Sequence, residues 1–161
     1  MNKIHINFDI EQYNSISELS ADRQKLIEAA QLSIKNSYAP YSNFNVGAAV
    51  LLANGEIITG SNQENSAYPS GLCAERVALF FANHKYPKVP VLSLVVCAYT
   101  NGNFIEEPTP PCGSCRQVML ETETRFNQPI ELILFGSKKI LIISKSSFLL
   151  PLSFTIDNLK N

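Results

Sequence analysis

A helix followed by a buried strand is encoded in residues 73–98, CAERVALFFANHKYPKVPVLSLVVCA. Apolar side chains fall on most sides of the helical part, which predicts a helix from Cys73 to about Asn83 that is buried at the centre of the fold. The continuous apolar run Val91–Ala98 predicts a buried strand. Helices packed on buried strands are typical of α/β domains, in which helices cover a central sheet.

Further helices and strands lie on both sides of this unit along the chain. Apolar residues at helical spacing predict a helix that begins after Ser20 and ends before Pro40. Asn54-Gly55 lies between two apolar runs and predicts a β-hairpin. Downstream, we expect a helix over Cys112–Arg125 and strands over Ile130–Phe135 and Ile140–Ser144. The order α-β-β-α-β-α-β-β predicts a central sheet of about five strands with helices on its faces.

Two segments are expected to differ from this regular pattern. Apolar residues alternate with polar ones over Ile4–Ile10, which predicts a half-buried strand appended as an edge strand or arm. The loop Tyr99–Pro111 holds three prolines and one glycine and is expected to be irregular. We therefore expect an N-terminal arm over residues 1–18 and a single domain over residues 19–161.

Charge and composition exclude several classes of protein. The formal net charge of −1 argues against a protein that neutralises many phosphates of a nucleic acid or lies on an anionic membrane. The longest apolar runs are far shorter than the ~18 residues of a spanning helix. Because the N-terminus also lacks the apolar segment of a signal peptide, we expect a cytoplasmic protein. Charged residues make up 17%, below the roughly 25% of an average soluble domain, which indicates surface buried in an oligomer.

Three cysteines stand where helices are expected to begin. Cys112 and Cys115 are spaced i, i+3, so both sulfurs can face one point from a single helical turn. Cys73, at the start of another helix, is able to supply a third thiolate. Three protein ligands with a fourth position left for water form the arrangement of a catalytic zinc site. The remaining cysteine, Cys97, belongs to an apolar strand and is expected in the core.

Other interpretations of these residues stay open on spacing alone. A C-x-x-C pair also occurs in redox proteins, and Cys97 or a distant histidine would complete a structural zinc site. Glu75 by itself is explained by the helix dipole, which favours an acidic residue in a first turn. Taken together, however, three zinc ligands, a non-ligand glutamate and a P-C-x-x-C motif are the pattern of the zinc deaminases.

Over Leu26–Phe154 the sequence resembles the cytidine deaminase family. The motifs that carry the resemblance are YAPYSNF (38–44), VGAA (46–49), NQEN (62–65), YP (68–69), CAER (73–76) and PCGSCRQ (111–117). The resemblance implies a three-layer α/β/α fold with a central mixed sheet. It also implies hydrolysis of cytidine and 2′-deoxycytidine to uridine and 2′-deoxyuridine with release of ammonia, a reaction of pyrimidine salvage. The small form of the family is generally a homotetramer, which implies active sites completed by neighbouring subunits.

The resemblance assigns a metal and a proton shuttle to one cluster. Cys73, Cys112 and Cys115 match the ligands of one zinc ion per subunit, Glu75 matches the proton shuttle, and Arg76 matches an arginine that donates to the zinc-bound thiolates. Zinc would supply hydroxide from its bound water to attack C4 of cytosine. Glu75 would take the water proton, pass it to N3 and then protonate the leaving amino group.

The same resemblance gives the nucleoside site. Asn62 and Glu64 match the pair that hydrogen-bonds the ribose 3′-hydroxyl, which implies a free nucleoside as the substrate rather than a base inside a polynucleotide. Phe44 matches an aromatic residue of the base pocket, and Ser66 matches a position whose backbone lies near the base. The residues that match those reaching a neighbouring subunit's pocket are Tyr68 and Phe154.

Two rival functions are kept as alternatives. A blasticidin-S-type deaminase shares the three-cysteine zinc site and the glutamate but accepts a bulky aminoacyl nucleoside, whereas the motifs at residues 62–65 and 150–154 favour cytidine. A noncatalytic zinc-binding protein on the same fold would retain the cysteines but would have no use for Glu75. Turnover of cytidine distinguishes the proposed enzyme from both.

Overall fold

Seven strands form one mixed sheet in the computed structural model, which describes residues 1–160. The strands are β1 (Glu11–Tyr13), β2 (Asn45–Leu52), β3 (Ile57–Ser61), β4 (Val91–Thr100), β5 (Asn103–Phe104), β6 (Glu131–Phe135) and β7 (Ile140–Ile143). Their order is β1-β7-β6-β4-β2-β3, and β5 pairs with β4. β4 and β6 run parallel, while the other neighbours are antiparallel. The five expected strands are β2, β3, β4, β6 and β7, and the other two are short.

Helices cover both faces of the sheet. The α-helices of the described chain are α1 (Ala21–Ser33), α2 (Ala74–Lys85) and α3 (Gly113–Phe126), and short 3₁₀ turns span Ile16–Glu18, Ile34–Asn36, Tyr68–Ser70, Ser146–Leu149 and Ile156–Leu159. On one face Leu26 of α1 shares a core cluster with Val95 of β4. On the other, Leu79 of α2 and Met119 of α3 share a core cluster with Leu132 of β6. The predicted three-layer α/β/α fold is confirmed. No helix within residues 1–160 is long and apolar enough to cross a membrane.

The N-terminal strand begins later than the alternation over Ile4–Ile10 predicts. Residues 1–10 contain no strand, and β1 starts at Glu11, which pairs with Ile142 of β7. Because β7 ends at Ile143, the residues before Glu11 have almost no strand left to pair with. The predicted edge strand is therefore present, but its predicted position is wrong.

The loop Tyr99–Pro111 is more regular than its prolines predict. β4 continues to Thr100, and Asn101 and Gly102 then turn the chain into β5 with positive φ angles of 51° and 82°. Left-handed torsions at both central residues are typical of a tight hairpin turn, for which Asn-Gly is a preferred pair. The prediction of an irregular loop is wrong for this first part, because the turn residues extend the sheet before the prolines begin.

Helix α2 is less buried than its composition predicts. Ala78 and Leu79 are fully enclosed, but Phe80 and Phe81 are 48% and 51% exposed. The helix packs against β2 and β3 on one side and beside α3 on another, so its outer face meets solvent in a single chain. The expectation that α2 is buried on most sides is therefore wrong for one chain.

The first turns of α2 lie very close to β3. A Cβ atom on Gly60 would come within 2.5 Å of the Ala74 carbonyl oxygen and 2.6 Å of the Ala78 backbone nitrogen. Both are backbone atoms and cannot rotate away, so this approach requires glycine. The contact fixes the beginning of α2, where Cys73 and Glu75 lie.

Substituting Gly60 with alanine tests this contact. We expect Gly60→Ala to lower the free energy of unfolding by about 2 kcal/mol or more, because the added Cβ overpacks backbone against backbone. Gly113→Ala is the matched control, since a Cβ there meets nothing within 4 Å. Urea denaturation of both variants measures the difference, and equal stability of the Gly60→Ala variant and the unsubstituted protein would contradict the prediction.

Candidate active site and metal centre

Three cysteine sulfurs meet where α2 and α3 begin. Cys73 and Cys112 are the N-cap residues of the two helices, and Cys115 lies in the first turn of α3. The Sγ atoms of Cys73 and Cys112 are 3.7 Å apart, and those of Cys112 and Cys115 are 3.5 Å apart. All three lie within 4.8 Å of one another. The packing of two helix N-termini thus brings the predicted ligand set together.

The spacing of these sulfurs fits a zinc ion. Tetrahedral coordination with Zn–S distances of about 2.3 Å places neighbouring sulfurs roughly 3.8 Å apart, which is close to the spacing found. Within residues 1–160 no second group of three potential ligands is this tight. Cys97 is fully buried on β4 and donates to the Gly47 carbonyl oxygen at 3.5 Å, so it does not complete a structural site. The arrangement leaves a coordination position for water, as in catalytic zinc sites.

One of the three sulfurs gives up its proton readily. The pKa of Cys73 is lowered to about 5, first by the hydrogen bond from Cys115 and further by Arg76 and Cys112. The pKa of Cys115 is raised by its hydrogen bond with Cys73, by burial and by the nearby Glu75 carboxylate. Because the thiolate is the form that ligates a metal, the cluster already favours one ligand before a metal binds.

Arg76 lies half-buried beside the sulfur cluster. Its Nη2 donates to the Cys73 sulfur at 3.7 Å and to the Gly71 carbonyl oxygen at 3.4 Å. Its Nε is buried and has no partner in the described part of the chain. A cation at this position offsets the negative charge of the thiolates, and so does the partial positive charge of each helix N-terminus.

Glu75 faces a cavity from the first turn of α2. Its side chain is only 4% exposed, and burial raises the pKa of its carboxyl group above the usual value. The charge of Cys73 raises this pKa further, while a hydrogen bond from Cys115 opposes the shift. A carboxyl group with a raised pKa beside a metal ligand set is suited to accept and return protons.

The cavity in front of the cluster has a volume of about 800 Å³, within the range typical of small-molecule sites. The predicted site residues that line it are Phe44, Asn62, Glu64, Tyr68, Cys73, Glu75, Arg76 and Cys112. The structure therefore brings most of the predicted nucleoside-binding residues and two of the three predicted metal ligands to one cavity.

Glu64 and Asn62 are held in place by the loop between α1 and β2. Glu64 accepts hydrogen bonds from the Ser42 hydroxyl and from the backbone nitrogens of Tyr41, at 2.9 Å, and Ser42, at 3.3 Å. The Ser42 hydroxyl and the Tyr41 nitrogen lower the pKa of Glu64, so the group is a carboxylate at neutral pH. Asn62 donates from Nδ2 to the Phe44 carbonyl oxygen at 2.9 Å. Both side chains are therefore ordered before any ligand binds.

Three predicted residues do not line this cavity. Cys115 is fully buried behind Cys73 and Cys112. Ser66 is exposed and lies outside the lining. Phe154 is 61% exposed, and its carbonyl oxygen accepts a hydrogen bond from Gln117 Nε2 at 2.9 Å. Tyr68 reaches the cavity but is 79% exposed. In a single chain, Tyr68 and Phe154 therefore each expose more than half of their surface to solvent.

Several lining residues are absent from the sequence predictions. They are Tyr41, Ser42, Val46, Gln63, Asn65, Gly71, Leu72, Val96, Thr109 and Pro110. Tyr41 lies inside the motif at residues 38–44, and Thr109 precedes Cys112 by three residues, so proximity to a motif was a usable signal for both. Leu72 and Val96 are ordinary apolar residues whose position only the folded chain reveals.

Known proteins resemble this chain in sequence. Residues 20–127 match the family model described as the cytidine and deoxycytidylate deaminase zinc-binding region. Cytidine deaminase of Halalkalibacterium halodurans is 46% identical over 100 residues, which cover 62% of this chain and 71% of the relative. Cytidine deaminase of Mycobacterium tuberculosis H37Rv is 36% identical over 126 residues, which cover 76% of this chain and 82% of the relative.

Solved structures resemble it in fold. Cytidine deaminase from Burkholderia pseudomallei superimposes with a TM-score of 0.69 and 38% identity, covering 81% of this chain and 97% of that one. Cytidine deaminase from Mycobacterium tuberculosis gives a TM-score of 0.66 with 31% identity, covering 84% and 99%. The family model covers well over half of the sequence, and the fold is shared with solved members. The chain therefore belongs to the cytidine and deoxycytidylate deaminase family.

Proposed function

We propose that this protein is a zinc-dependent enzyme that hydrolyses cytidine and 2′-deoxycytidine to uridine and 2′-deoxyuridine, with release of ammonia. The observation that carries the proposal is the convergence of three cysteine sulfurs behind a cavity whose wall includes Cys73, Cys112 and the buried Glu75. The relatives named above are cytidine deaminases, which favours cytidine over blasticidin S as the substrate.

Cys73, Cys112 and Cys115 hold the zinc ion in this proposal. Bound zinc lowers the pKa of a water molecule toward neutrality. Glu75 accepts a proton from the water that attacks C4 of cytosine and delivers this proton to N3. It then moves the remaining hydroxyl proton to the 4-amino group, so that the C4–N bond breaks and ammonia leaves. One carboxyl group serves both transfers because it alternates between base and acid.

The nucleoside is held by the opposite wall of the cavity. Asn62 and Glu64 contact the ribose 3′-hydroxyl, and Phe44 packs against the base. Ser66 lies outside the cavity lining of a single chain, and its backbone is assigned to the base by the family resemblance alone. A free 3′-hydroxyl excludes a nucleotide inside a polynucleotide, where that oxygen carries phosphate. The net charge of −1 supports this, since proteins that bind single-stranded nucleic acids follow the backbone with a positively charged groove.

We further propose a cytoplasmic homotetramer that acts in pyrimidine salvage, with residues 19–161 as the catalytic domain. Tyr68 and Phe154 then complete the cavity of a neighbouring subunit. Their exposure in a single chain supports the assignment, and so does the exposure of Phe80 and Phe81 on α2. Large apolar side chains at such positions are typical of surfaces that another subunit covers.

Replacing Glu75 tests the reaction and its proton shuttle together. We expect Glu75→Gln to lower kcat for cytidine roughly 10²–10⁴-fold, because the amide cannot transfer protons. Zinc content should be unchanged, since Glu75 is not a ligand. Loss of ultraviolet absorbance from cytidine measures turnover, and Glu121→Gln, at an exposed position of α3, is the matched control. Full activity of Glu75→Gln, or no turnover of any cytidine nucleoside by the zinc-loaded protein, would contradict the proposal.

Replacing Arg76 tests its support of the thiolates. We expect Arg76→Ala to weaken zinc binding roughly 10–100-fold, because the Cys73 sulfur loses the cation that offsets its charge. Competition with a chromogenic chelator measures the affinity, and circular dichroism of the zinc-loaded protein checks the fold. Arg125→Ala, at the exposed end of α3, should leave zinc affinity unchanged. If both variants bound zinc with the same affinity, Arg76 would not support the zinc-bound thiolates.

Mixing the Glu75→Gln and Phe154→Ala variants tests whether subunits share active sites. A Glu75→Gln subunit retains Phe154, and a Phe154→Ala subunit retains Glu75. We expect tetramers formed from both, by dissociation and reassembly, to be more active than either variant alone, because some sites then combine an intact Glu75 with a neighbour's Phe154. Sedimentation checks the assembly. A tetramer without such recovery would assign Phe154 to its own subunit.

A further inference from the structure

The side-chain amide of Asn62 is fixed in one orientation. Its Oδ1 accepts hydrogen bonds from the Val46 backbone nitrogen at 2.8 Å and from the Ser37 hydroxyl at 2.5 Å. Its Nδ2 donates to the Phe44 carbonyl oxygen at 2.9 Å. If the amide were flipped, its N–H groups would face the Val46 backbone N–H, and its oxygen would face the Phe44 carbonyl oxygen. These contacts therefore favour a single orientation.

This orientation decides what Asn62 offers to the cavity that it lines. An amide oxygen has two acceptor positions, and both are occupied by Ser37 and Val46. The amide nitrogen has two N–H donors, of which Phe44 takes one. Asn62 therefore presents a single donor to a ligand, while the neighbouring Glu64 carboxylate presents an acceptor. A sugar hydroxyl accepts one hydrogen bond and donates another, and it matches this pair.

Ser37 acts on Asn62 from outside the cavity. It ends the 3₁₀ turn Ile34–Asn36, and its backbone nitrogen donates to the Ile34 carbonyl oxygen at 2.9 Å. The next residue donates from its backbone nitrogen to the Asn62 carbonyl oxygen at 3.0 Å, which holds the two segments side by side. Ser37 is half-buried and does not line the cavity, so it has no direct route to a nucleoside.

We propose that Ser37 is a positioning residue for recognition of the sugar 3′-hydroxyl. Its hydroxyl occupies the second acceptor position of Asn62 Oδ1 and keeps the free N–H of Nδ2 directed at the ligand. This inference rests on the proposed deamination of a nucleoside. Without the hydroxyl, the amide keeps the Val46 contact at Oδ1 and the Phe44 contact at Nδ2, so two hydrogen bonds hold it instead of three and its free N–H is directed at the ligand less firmly.

The test compares two substrates that differ only at the 3′-position. We expect Ser37→Ala to lower kcat/KM for cytidine roughly three- to tenfold, the equivalent of one hydrogen bond, chiefly through a higher KM. The value for 3′-deoxycytidine should stay the same, because that substrate lacks the hydroxyl that Asn62 contacts. The preference for cytidine over 3′-deoxycytidine should therefore fall by the same factor.

Two further variants sharpen the comparison. Ser37→Cys fills nearly the same space with a weaker donor and should give an intermediate preference. If Ser37→Ala does not fold, the substrate preference is measured on Ser37→Cys instead. Ser144→Ala, at an exposed position, should leave the preference unchanged.

Each outcome has one meaning. An equal loss for both substrates would make Ser37 a residue of the fold only and would overturn the proposal, as would an unchanged preference in Ser37→Ala and Ser37→Cys. A selective loss for cytidine would support it. Failure of the proposed function is a separate result, since the zinc-loaded unsubstituted protein would then turn over neither substrate.

Discussion

The meeting of two helix N-termini at three sulfur atoms is the arrangement on which the rest of this site depends. Thiolates brought within 4.8 Å of one another repel unless positive charge lies nearby. The N-termini of α2 and α3 each supply a partial positive charge, Arg76 supplies a full charge, and a bound zinc ion would supply the largest share. The sheet sets this geometry, because α2 rests against β3 so closely that Gly60 cannot carry a side chain.

The polar residues at the far wall of the cavity stabilise the fold as well as serving the proposed nucleoside site. Asn62 connects the end of β3 with the start of β2 by accepting a hydrogen bond from the Val46 backbone nitrogen. Glu64 accepts hydrogen bonds from the backbone nitrogens of Tyr41 and Ser42. These contacts hold the loop that carries Phe44, so the groups proposed to recognise the sugar also hold the residue proposed to pack against the base. Substitution of Asn62 or Glu64 therefore disturbs both functions, whereas a residue behind them, such as Ser37, allows recognition to be studied apart from the fold.

Local chemistry explains which features the sequence predicts correctly. Asn54-Gly55 defines the β2–β3 hairpin because both turn residues act within a few positions, and the i, i+3 spacing of Cys112 and Cys115 fixes their proximity within one helical turn. The start of β1 depends instead on where β7 ends, which is a property of a distant segment. The outer face of α2 illustrates a different limit, since an apolar pattern does not distinguish burial within one chain from burial between chains. Ser37 lies outside the sequence motifs, and its proposed role in positioning Asn62 follows only from the folded structure.

The position of Glu75 balances opposing effects on its proton. Burial raises the pKa of the carboxyl group, and the Cys73 charge acts in the same direction. The backbone nitrogen at the first turn of α2, the Cys115 thiol and Arg76 act in the opposite direction. A group that must first accept a proton and then release it works best when neither form is strongly favoured at the working pH. A fully exposed carboxylate would remain charged, and one buried without these donors would hold its proton too tightly. The first turn of α2 supplies both burial and hydrogen-bond donors, and this combination suits a proton shuttle. The helix dipole alone would explain an acidic residue here but not its burial.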